Sequence, residues 1–173
     1  ARECGNVDLL VNNAGIIVRE NSASPRALAN WRKVMDVNVD GVFHTTHAFL
    51  EPLKAGRGTI VNLASIAAFP GQGGRLGYSP SKAAVVMLTQ SLAIELAPFG
   101  VRVNALAPGV IETPMTEATR ADPQRLAPFL ARTPMARVGQ PEELVGAVLF
   151  LSSALSTYVT GVTLPVDGGF LAT

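Results

Sequence analysis

Four short apolar runs, each separated from the next by a longer helical stretch, limit the fold of this chain more than any other feature. The runs are VDLLV from Val7, TIVNL from Thr59, VRVNALA from Val101 and GVTLPV from Gly161. Apolar runs of this length between turn residues are typical of buried strands in a parallel sheet. Because no hairpin signal joins two of them, successive strands need right-handed crossovers through helices. The sequence therefore predicts an α/β fold with a doubly wound parallel sheet of four strands, in a single domain over residues 1–173.

Helical stretches connect these strands. One pattern runs over residues 27–54, a second follows the glycine-rich loop 70–77, and a third starts at Pro141 with two acidic residues behind it. The segment 113–138 is polar, rich in arginine and interrupted by proline, which predicts short helices in a mobile excursion. Ligands of open parallel sheets bind beyond the C-terminal ends of the strands, so functional residues are expected there.

Composition narrows the class of protein and its partners. Hydrophobic residues make up 48% of the chain and charged residues 16%, which predicts a globular protein with a large core. The net charge of +1 and the lack of a basic stripe argue against nucleic acid as a partner. No uninterrupted apolar run reaches the roughly 18 residues of a membrane span, so no membrane partner is expected. Cys4 is the single cysteine, which excludes a disulfide framework and fits a reducing, cytoplasmic location.

Tyr78 and Lys82 are the first candidates for chemistry. They lie four positions apart at the start of an otherwise apolar helix, so their side chains project from one face. A phenol titrates at about pH 10, and a cation within about 4–6 Å lowers that pKa by favouring the phenolate. The positive end of the helix dipole acts in the same direction. With Ser65, which follows the second strand and is able to donate a hydrogen bond to a substrate oxygen, the pair predicts a proton-transfer site for a carbonyl or an alcohol.

Each of these residues also has a structural interpretation. A tyrosine that covers a surface beside a snorkelling lysine is common on helices, and a single serine is more often a cap or a turn residue. The presence of further motifs at fixed spacings decides between the two interpretations. The motifs are NNAG at residues 12–15, Asn38, Ser65, the Tyr78/Lys82 pair, Pro108-Gly109 and Thr113.

These motifs resemble one family over the whole chain. Ser65 stands thirteen residues before Tyr78, and Asn38 stands twenty-seven residues before Ser65. With these spacings and its closing VDGG, the chain resembles the classical branch of the short-chain dehydrogenase/reductase family, which has a Rossmann-like sheet. The resemblance implies an NAD(P)-dependent oxidoreductase that interconverts a carbonyl and an alcohol of a small-molecule substrate by hydride transfer.

The resemblance also implies a role for each matching residue. Tyr78 is the general acid/base, Lys82 lowers the tyrosine pKa and holds the ribose next to the nicotinamide, and Ser65 polarises the substrate oxygen. Asn38 kinks its helix and binds a relay water; its alternative is a surface asparagine. The residues implied in cofactor binding are Asn12, Ala14, Gly15, Tyr78, Lys82, Pro108, Gly109, Ile111 and Thr113. For Pro108-Gly109 an ordinary strand exit remains the alternative.

Three other features have simpler explanations. The loop GQGGRLG at residues 71–77 has Leu76 in place of the third glycine of a phosphate-binding motif, so it is interpreted as a substrate-side loop. His44 and His47 lack a third ligand nearby, which favours a packed helix face and predicts no metal site. Arginines 120, 125, 132 and 137 either meet an anionic substrate or solvate a mobile lid.

The start of the chain carries a further expectation. The family's fold opens with a strand, a glycine-rich turn and a helix that binds the cofactor pyrophosphate, and no such motif precedes residue 12 here. We therefore expect the C-terminal part of a longer Rossmann fold, which by itself binds a dinucleotide weakly. The residue that selects NAD or NADP then lies outside this sequence. One hypothesis is an oxidoreductase represented by a fragment, and the other is a non-catalytic, oligomerising remnant of such an enzyme.

Substrate and assembly are the last expectations. The sequence resembles ketoacyl-carrier reductases and sugar or polyol dehydrogenases equally. The helical stretches 34–50 and 83–96 are apolar nearly all round. A helix that has no polar side is buried all round. In one domain of this size only another subunit is available to bury the side that faces away from the sheet. The sequence therefore predicts a homodimer or a homotetramer.

Overall fold

The parallel sheet that the sequence predicts is present. The computed structural model describes residues 5–173, so Cys4 lies outside the described residues. The strands are β1 (Leu9–Asn12), β2 (Thr59–Leu63), β3 (Arg102–Pro108) and β4 (Thr163–Val166). They lie in the order β1-β2-β3-β4, and each neighbouring pair is parallel. The prediction of a Rossmann-like α/β sheet is confirmed.

Helices fill the connections between the strands. They are α1 (Ala27–Met35), α2 (Gly41–Ala48), α3 (Leu50–Gly56), α4 (Tyr78–Leu96), α5 (Glu117–Arg120), α6 (Pro123–Ala131) and α7 (Val145–Ser152). The polar segment 113–138 forms the short helices α5 and α6, as predicted. Its mobility stays a prediction.

The single helix predicted over residues 27–54 is wrong in its continuity. A π-helical turn, Asp36–Asp40, separates α1 from α2, and Phe49 leaves the helical region with φ −102° and ψ 9°. Pro52 explains the second break, because a proline lacks an N–H group and its ring clashes with the carbonyl four residues earlier. The chain therefore restarts its helix at Leu50, where Pro52 falls in the first turn.

The two faces of the sheet carry separate apolar clusters. On one face Ile60 of β2 packs in a cluster with Leu92 of α4. On the other face Val61 packs with Leu151 of α7. Successive strand residues point to opposite sides of a sheet, so two neighbours in sequence belong to different clusters. Helices cover both faces, which is the doubly wound arrangement.

The helical segment Tyr78–Phe99, which includes α4, is long and apolar enough to cross a membrane by length and composition alone. In the structure Val85 and Thr89 are fully buried against neighbouring elements, and polar Ser81 and Lys82 are buried on the same side. A core helix of an α/β layer has these contacts. The opposite side of α4 leaves Met87 and Ile94 exposed in the described part of the chain.

Candidate active site

Tyr78 and Lys82 lie side by side at the beginning of α4, as predicted. Tyr78 is the first residue of the helix, and both side chains are buried, with 8% and 5% of their surface exposed. The Lys82 Nζ atom lies 5.8 Å from the centre of the Tyr78 ring. It also donates a hydrogen bond of 2.6 Å to the carbonyl oxygen of Leu63, at the end of β2. The lysine thus joins the start of α4 to the C-terminal end of a strand.

Burial governs the proton affinities of both groups. It raises the pKa of Tyr78, while the Ser65 hydroxyl and the guanidinium groups of Arg75 and Arg19 act against this rise. Burial lowers the pKa of the Lys82 ammonium to about 8. The sequence assigned the stabilisation of the phenolate to Lys82. In the structure Ser65, Arg75 and Arg19 lower the pKa of Tyr78 against the effect of burial, while the Lys82 ammonium donates to the Leu63 carbonyl. The effect of Lys82 on the phenolate stays a prediction.

Ser65 follows β2 and is both a cap and a candidate for chemistry. Its Oγ atom accepts a hydrogen bond of 3.1 Å from the backbone N–H of Ala67 and caps the short turn Ile66–Ala68. The bond fixes the side chain and leaves the hydroxyl proton for donation to another acceptor. Ser65 is buried and close to Tyr78.

Asn38 lies in the π-helical turn and is completely buried, so its interpretation as a surface asparagine is wrong. Its Oδ1 atom accepts a hydrogen bond from Ile16 N at 2.8 Å, and its Nδ2 atom donates to Ile16 O at 2.9 Å. Nδ2 also donates to Ser81 Oγ at 3.0 Å. The amide therefore ties the helix irregularity to the loop after β1 and to α4. The predicted relay water stays a prediction.

Asn12 is placed differently from the other residues of the NNAG motif. Its Nδ2 atom donates to Asn62 Oδ1 at 2.8 Å and to Thr46 Oγ1 at 3.2 Å, and Asn62 in turn donates to Thr89 Oγ1 at 2.9 Å. The Asn12 side chain thus belongs to a buried polar network between the sheet and the helices. Asn13, which the sequence interpretation did not single out, lines the adjoining cavity instead.

A cavity of about 570 Å³ brings most of the predicted site residues together at the C-terminal edge of the sheet. It lies beyond the ends of β1, β2 and β3, where the topology predicts a ligand. The predicted residues that line it are Ala14, Gly15, Ser65, Tyr78, Lys82, Pro108, Gly109, Ile111 and Thr113. Asn12 and Asn38 do not line it and stand behind its wall.

Two glycines keep the wall of this cavity thin. A Cβ atom on Gly15 would lie 3.4 Å from Lys82 Nζ and 3.5 Å from Asn38 Oδ1. A Cβ atom on Gly109 would lie 2.9 Å from the Cα atom of Asp167, in the loop after β4. Glycine at these positions lets the backbone approach a ligand or a neighbouring strand closely.

A second, smaller cavity also has Ser65 and Tyr78 in its wall. It measures about 60 Å³, and Arg19 and Arg75 are also part of its wall. It shares both arginines with an adjoining cavity of about 650 Å³, whose wall includes the glycine-rich loop from Pro70 to Arg75 and residues of α6. This position fits the interpretation of the loop as substrate-side. The sequence interpretation missed Arg19 and Arg75.

Comparisons of sequence give consistent relatives. A family model described as enoyl-(acyl carrier protein) reductase matches residues 1–171. The galactitol 2-dehydrogenase of Rhizobium johnstonii is 47% identical over 167 residues, which cover 94% of this chain and 64% of that enzyme. The 3-oxoacyl-(acyl-carrier-protein) reductase of Thermotoga maritima is 42% identical over 168 residues, which cover 96% of this chain and 67% of the reductase. The chain spans about two thirds of the length of these relatives.

A comparison of folds agrees with the comparisons of sequence. The crystal structure of a gluconate 5-dehydrogenase from Burkholderia cenocepacia, in complex with NADP and tartrate, matches this chain with a TM-score of 0.93 at 38% identity. The match covers 99% of this chain and 68% of the crystallised one. Sequence and fold thus point to the same group of proteins.

Proposed function

The chain belongs to the short-chain dehydrogenase/reductase family, and from this premise we propose that its site interconverts an alcohol and a carbonyl by hydride transfer, with Tyr78 as the general acid/base. One observation carries the proposal. Ser65, which follows β2, and Tyr78 and Lys82, which open α4, are buried and meet on one cavity at the ligand-bearing edge of the sheet.

The residues around the cavity of about 570 Å³ fit a nicotinamide cofactor. The cavity offers a polar wall at Lys82 and Thr113 and backbone without side chains at Gly15 and Gly109. In the proposal Tyr78 and Lys82 hold the hydroxyls of the ribose, and the segment from Pro108 to Thr113 contacts the carboxamide. When bound, such a cofactor supplies or accepts the hydride. The proposal includes both NAD and NADP; the crystallised relative holds NADP.

Tyr78 and Ser65 provide the proton chemistry in this proposal. In reduction the phenol gives its proton to the carbonyl oxygen as a hydride reaches the carbon, and in oxidation the phenolate takes the proton of the alcohol. The Ser65 hydroxyl, held by Ala67, donates a hydrogen bond to the same oxygen while it carries negative charge. The cations of Arg75 and Arg19 favour the phenolate against the effect of burial.

Lys82 and Asn38 support this chemistry from behind the tyrosine. The buried Lys82 ammonium donates a hydrogen bond to the Leu63 carbonyl, and burial lowers its pKa to about 8. Asn38 keeps the loop after β1 and the start of α4 in register through its three hydrogen bonds. In the proposal this arrangement positions Gly15 against Lys82.

The alternative of a non-catalytic scaffold leaves the burial of Lys82 without a purpose. Removing an ammonium group from water is unfavourable unless a partner compensates for it. Within residues 5–173 no carboxylate pairs with Lys82; its acceptor is a neutral carbonyl. Costly buried charges of this kind are concentrated at functional sites. The observation favours an enzyme.

Replacement of the tyrosine tests the proposed function. The protein that carries this chain is assayed with NAD⁺ and NADP⁺ on a panel of alcohols, and with the reduced cofactors on ketones, by the absorbance of the reduced nicotinamide. We expect Tyr78→Phe to lower kcat by about 10²-fold or more, because a general acid/base is lost while the ring is kept. Tyr158→Phe, at a fully exposed tyrosine, is the matched control and retains turnover. Normal turnover by Tyr78→Phe would contradict the assigned role.

We further propose that the protein acts as a homodimer or homotetramer in the cytoplasm. Met87 and Ile94 are exposed on one side of α4, and Phe43 is exposed on α2. Apolar side chains in such positions are typical of surfaces that a second subunit covers.

A further inference from the structure

Two arginines face the reaction site, and within the described residues neither has a carboxylate partner. Arg19 lies in the loop after β1, and Arg75 lies three residues before Tyr78 in the glycine-rich loop. Both line the small cavity of about 60 Å³ that Ser65 and Tyr78 also line. Both also line the adjoining cavity of about 650 Å³. They therefore stand where the two cavities meet.

The hydrogen bonds of these arginines go to neutral groups. Arg19 Nη2 donates to Thr119 Oγ1 at 3.1 Å, and Arg75 Nη1 donates to the side-chain oxygen of Gln72. The Arg75 guanidinium also lies over the ring of Phe129, 5.2 Å from its centre. None of the five ion pairs within residues 5–173 includes either arginine.

The acidic residue among those that line the cavity of about 650 Å³ already has partners. Glu20 lines the larger cavity, but its carboxylate accepts a hydrogen bond from Asn30 and lies 3.7 Å from Arg26. Arg125 and Arg132 add positive charge to the same cavity. Of these two, Arg125 is paired with Asp122 at 2.9 Å. The wall therefore carries more positive than negative charge.

The arrangement of Arg19 and Arg75 is electrostatically unfavourable while the site is empty of anions. Burial and the charge of Arg19 both lower the pKa of the half-buried Arg75. Like charges held close together in a partly desolvated place repel each other, and an anion between them removes the repulsion. A guanidinium fork matches the two oxygens of a carboxylate in geometry as well as in charge.

We propose that Arg19 and Arg75 bind the carboxylate of a small hydroxy acid, or of the corresponding keto acid, whose reacting carbon lies at Ser65 and Tyr78. This assignment of substrate class rests on the proposed function. The small volume beside Tyr78 accommodates a compact carboxylate, and the larger cavity accommodates the remainder of the molecule. The two arginines would thus select the substrate and orient it, while Tyr78 transfers the proton.

Matched substrates and matched variants test this proposal. Short hydroxy acids are compared with the neutral alcohols of equal chain length and with the phosphate monoesters of those alcohols, using the holoenzyme. We expect kcat/KM for the best acid to exceed that for its neutral counterpart by at least about 10-fold, the scale of a charge-assisted hydrogen bond. Arg75→Gln and Arg19→Gln should each lower kcat/KM for the acid by about 10- to 100-fold, chiefly by raising KM, because they remove binding of the substrate.

Arg32→Gln is the control variant. It removes the same charge at an exposed position of α1, outside the walls of both cavities, so the preference for the acid should be unchanged. An equal rise of KM for neutral alcohols in Arg75→Gln would overturn the proposal, whereas a fall of kcat that acids and alcohols share reports the effect of Arg75 on the pKa of Tyr78. A preference for the phosphate monoesters would overturn the assignment of a carboxylate.

A binding measurement separates this inference from the proposed function. Calorimetry with a short carboxylate that lacks a reactive hydroxyl should show binding to the wild-type complex with cofactor and none to the Arg19→Gln/Arg75→Gln double variant. If neutral alcohols are turned over as well as acids and in a Tyr78-dependent way, the proposed function stands and the arginine site is refuted. If no substrate is turned over but the carboxylate binds only where both arginines are present, the arginine site stands and the proposed function is refuted.

Discussion

At the scale of single residues, the buried lysine of the site connects stability with chemistry. Lys82 is 5% exposed, and burial lowers its pKa from 10.5 to about 8. The shift means that the folded protein releases this proton more easily than the unfolded chain does. The buried charge on Lys82 therefore lowers the free energy of unfolding at neutral pH. Such unfavourable burial is typical of residues with a function in a site.

The pH dependence of stability should reveal this shift. Below about pH 8 both states hold the Lys82 proton, and between that value and the ordinary pKa the unfolded chain binds more protons, so the free energy of unfolding rises with pH. Tyr78, whose folded pKa is raised, acts in the opposite sense only near and above pH 10, where the unfolded phenol ionises. From pH 8 to about 9.5 the contribution of Lys82 amounts to about 2 kcal/mol at most.

Chemical denaturation across this pH range provides the measurement. We expect Lys82→Met to lose the rise in the free energy of unfolding, while Lys33→Met, at an exposed lysine of α1, retains it. Other groups that titrate in the range are common to all three proteins and cancel in the differences. An unchanged slope in Lys82→Met would show that the lysine is not desolvated as the structure has it.

The sequence predicts the residues of the site that depend on local spacing. Tyr78 and Lys82 share a face because they are four positions apart on one helix, and Ser65 follows a strand that is recognisable by itself. Arg19 and Arg75 were missed because their approach to Tyr78 depends on two loops from separate crossovers, whose paths the sequence does not specify. The direction of the Tyr78 pKa shift was missed for a similar reason, since burial is a property of the packed structure.

At the scale of secondary-structure elements, Pro52 already indicated that the predicted helix over residues 27–54 is interrupted. The apolar pattern over residues 27–54 continues through Pro52, yet a proline in a helix interior lacks the N–H group of the helical hydrogen bond and clashes with the preceding turn. The break at Phe49 was therefore predictable. The sequence predicted the π-helical turn at Asp36–Asp40 only as a kink at Asn38. The burial of Asn38 was not predictable, because it depends on hydrogen bonds with Ile16 and Ser81, which belong to other elements.

The exits of β3 and β4 approach each other so closely that Gly109 has no room for a side chain. A Cβ atom there would lie 2.9 Å from the backbone of Asp167. We expect Gly109→Ala to lower the free energy of unfolding by about 1–3 kcal/mol, as overpacking does, and to raise KM for the cofactor by moving the wall of the cavity. Gly71→Ala is the control, since beyond its two chain neighbours no atom of the described residues lies within 4 Å of a Cβ atom at Gly71.

Denaturation with urea and steady-state kinetics on both glycine variants provide the comparison. The two substitutions add the same methyl group, so the difference between them isolates the close approach of the strand exits. Equal stability of the two variants would mean that the loop after β4 yields to Gly109→Ala without cost.

At the scale of the whole molecule, the parallel topology explains why these residues meet. Each strand ends at the same edge of the sheet, so the loops after β1, β2 and β3 place Gly15, Ser65 and Thr113 around one cavity. The order of the strands in the sheet follows the chain. The sequence left open whether Arg125 and Arg132 meet a substrate or solvate a lid, because nothing in a polar segment indicates where it will pack; in the structure both line the cavity of about 650 Å³.

The exposed side of α4 leads to the last prediction, which concerns assembly. Ile94 is 78% exposed and Met87 is 59% exposed, and they stand two helical turns apart on the same face. A self-complementary pairing of this face across a two-fold axis would bury both side chains of each subunit. We therefore expect the protein to sediment as a dimer or a tetramer at micromolar concentration. Ile94→Glu should shift the equilibrium toward smaller species, because pairing would bring two carboxylates into an apolar contact. Gln124→Glu adds the same charge at an exposed position of α6 and should leave the assembly unchanged. A clean monomer for the unaltered protein, or equal dissociation by both substitutions, would mean that this side of α4 remains in contact with water.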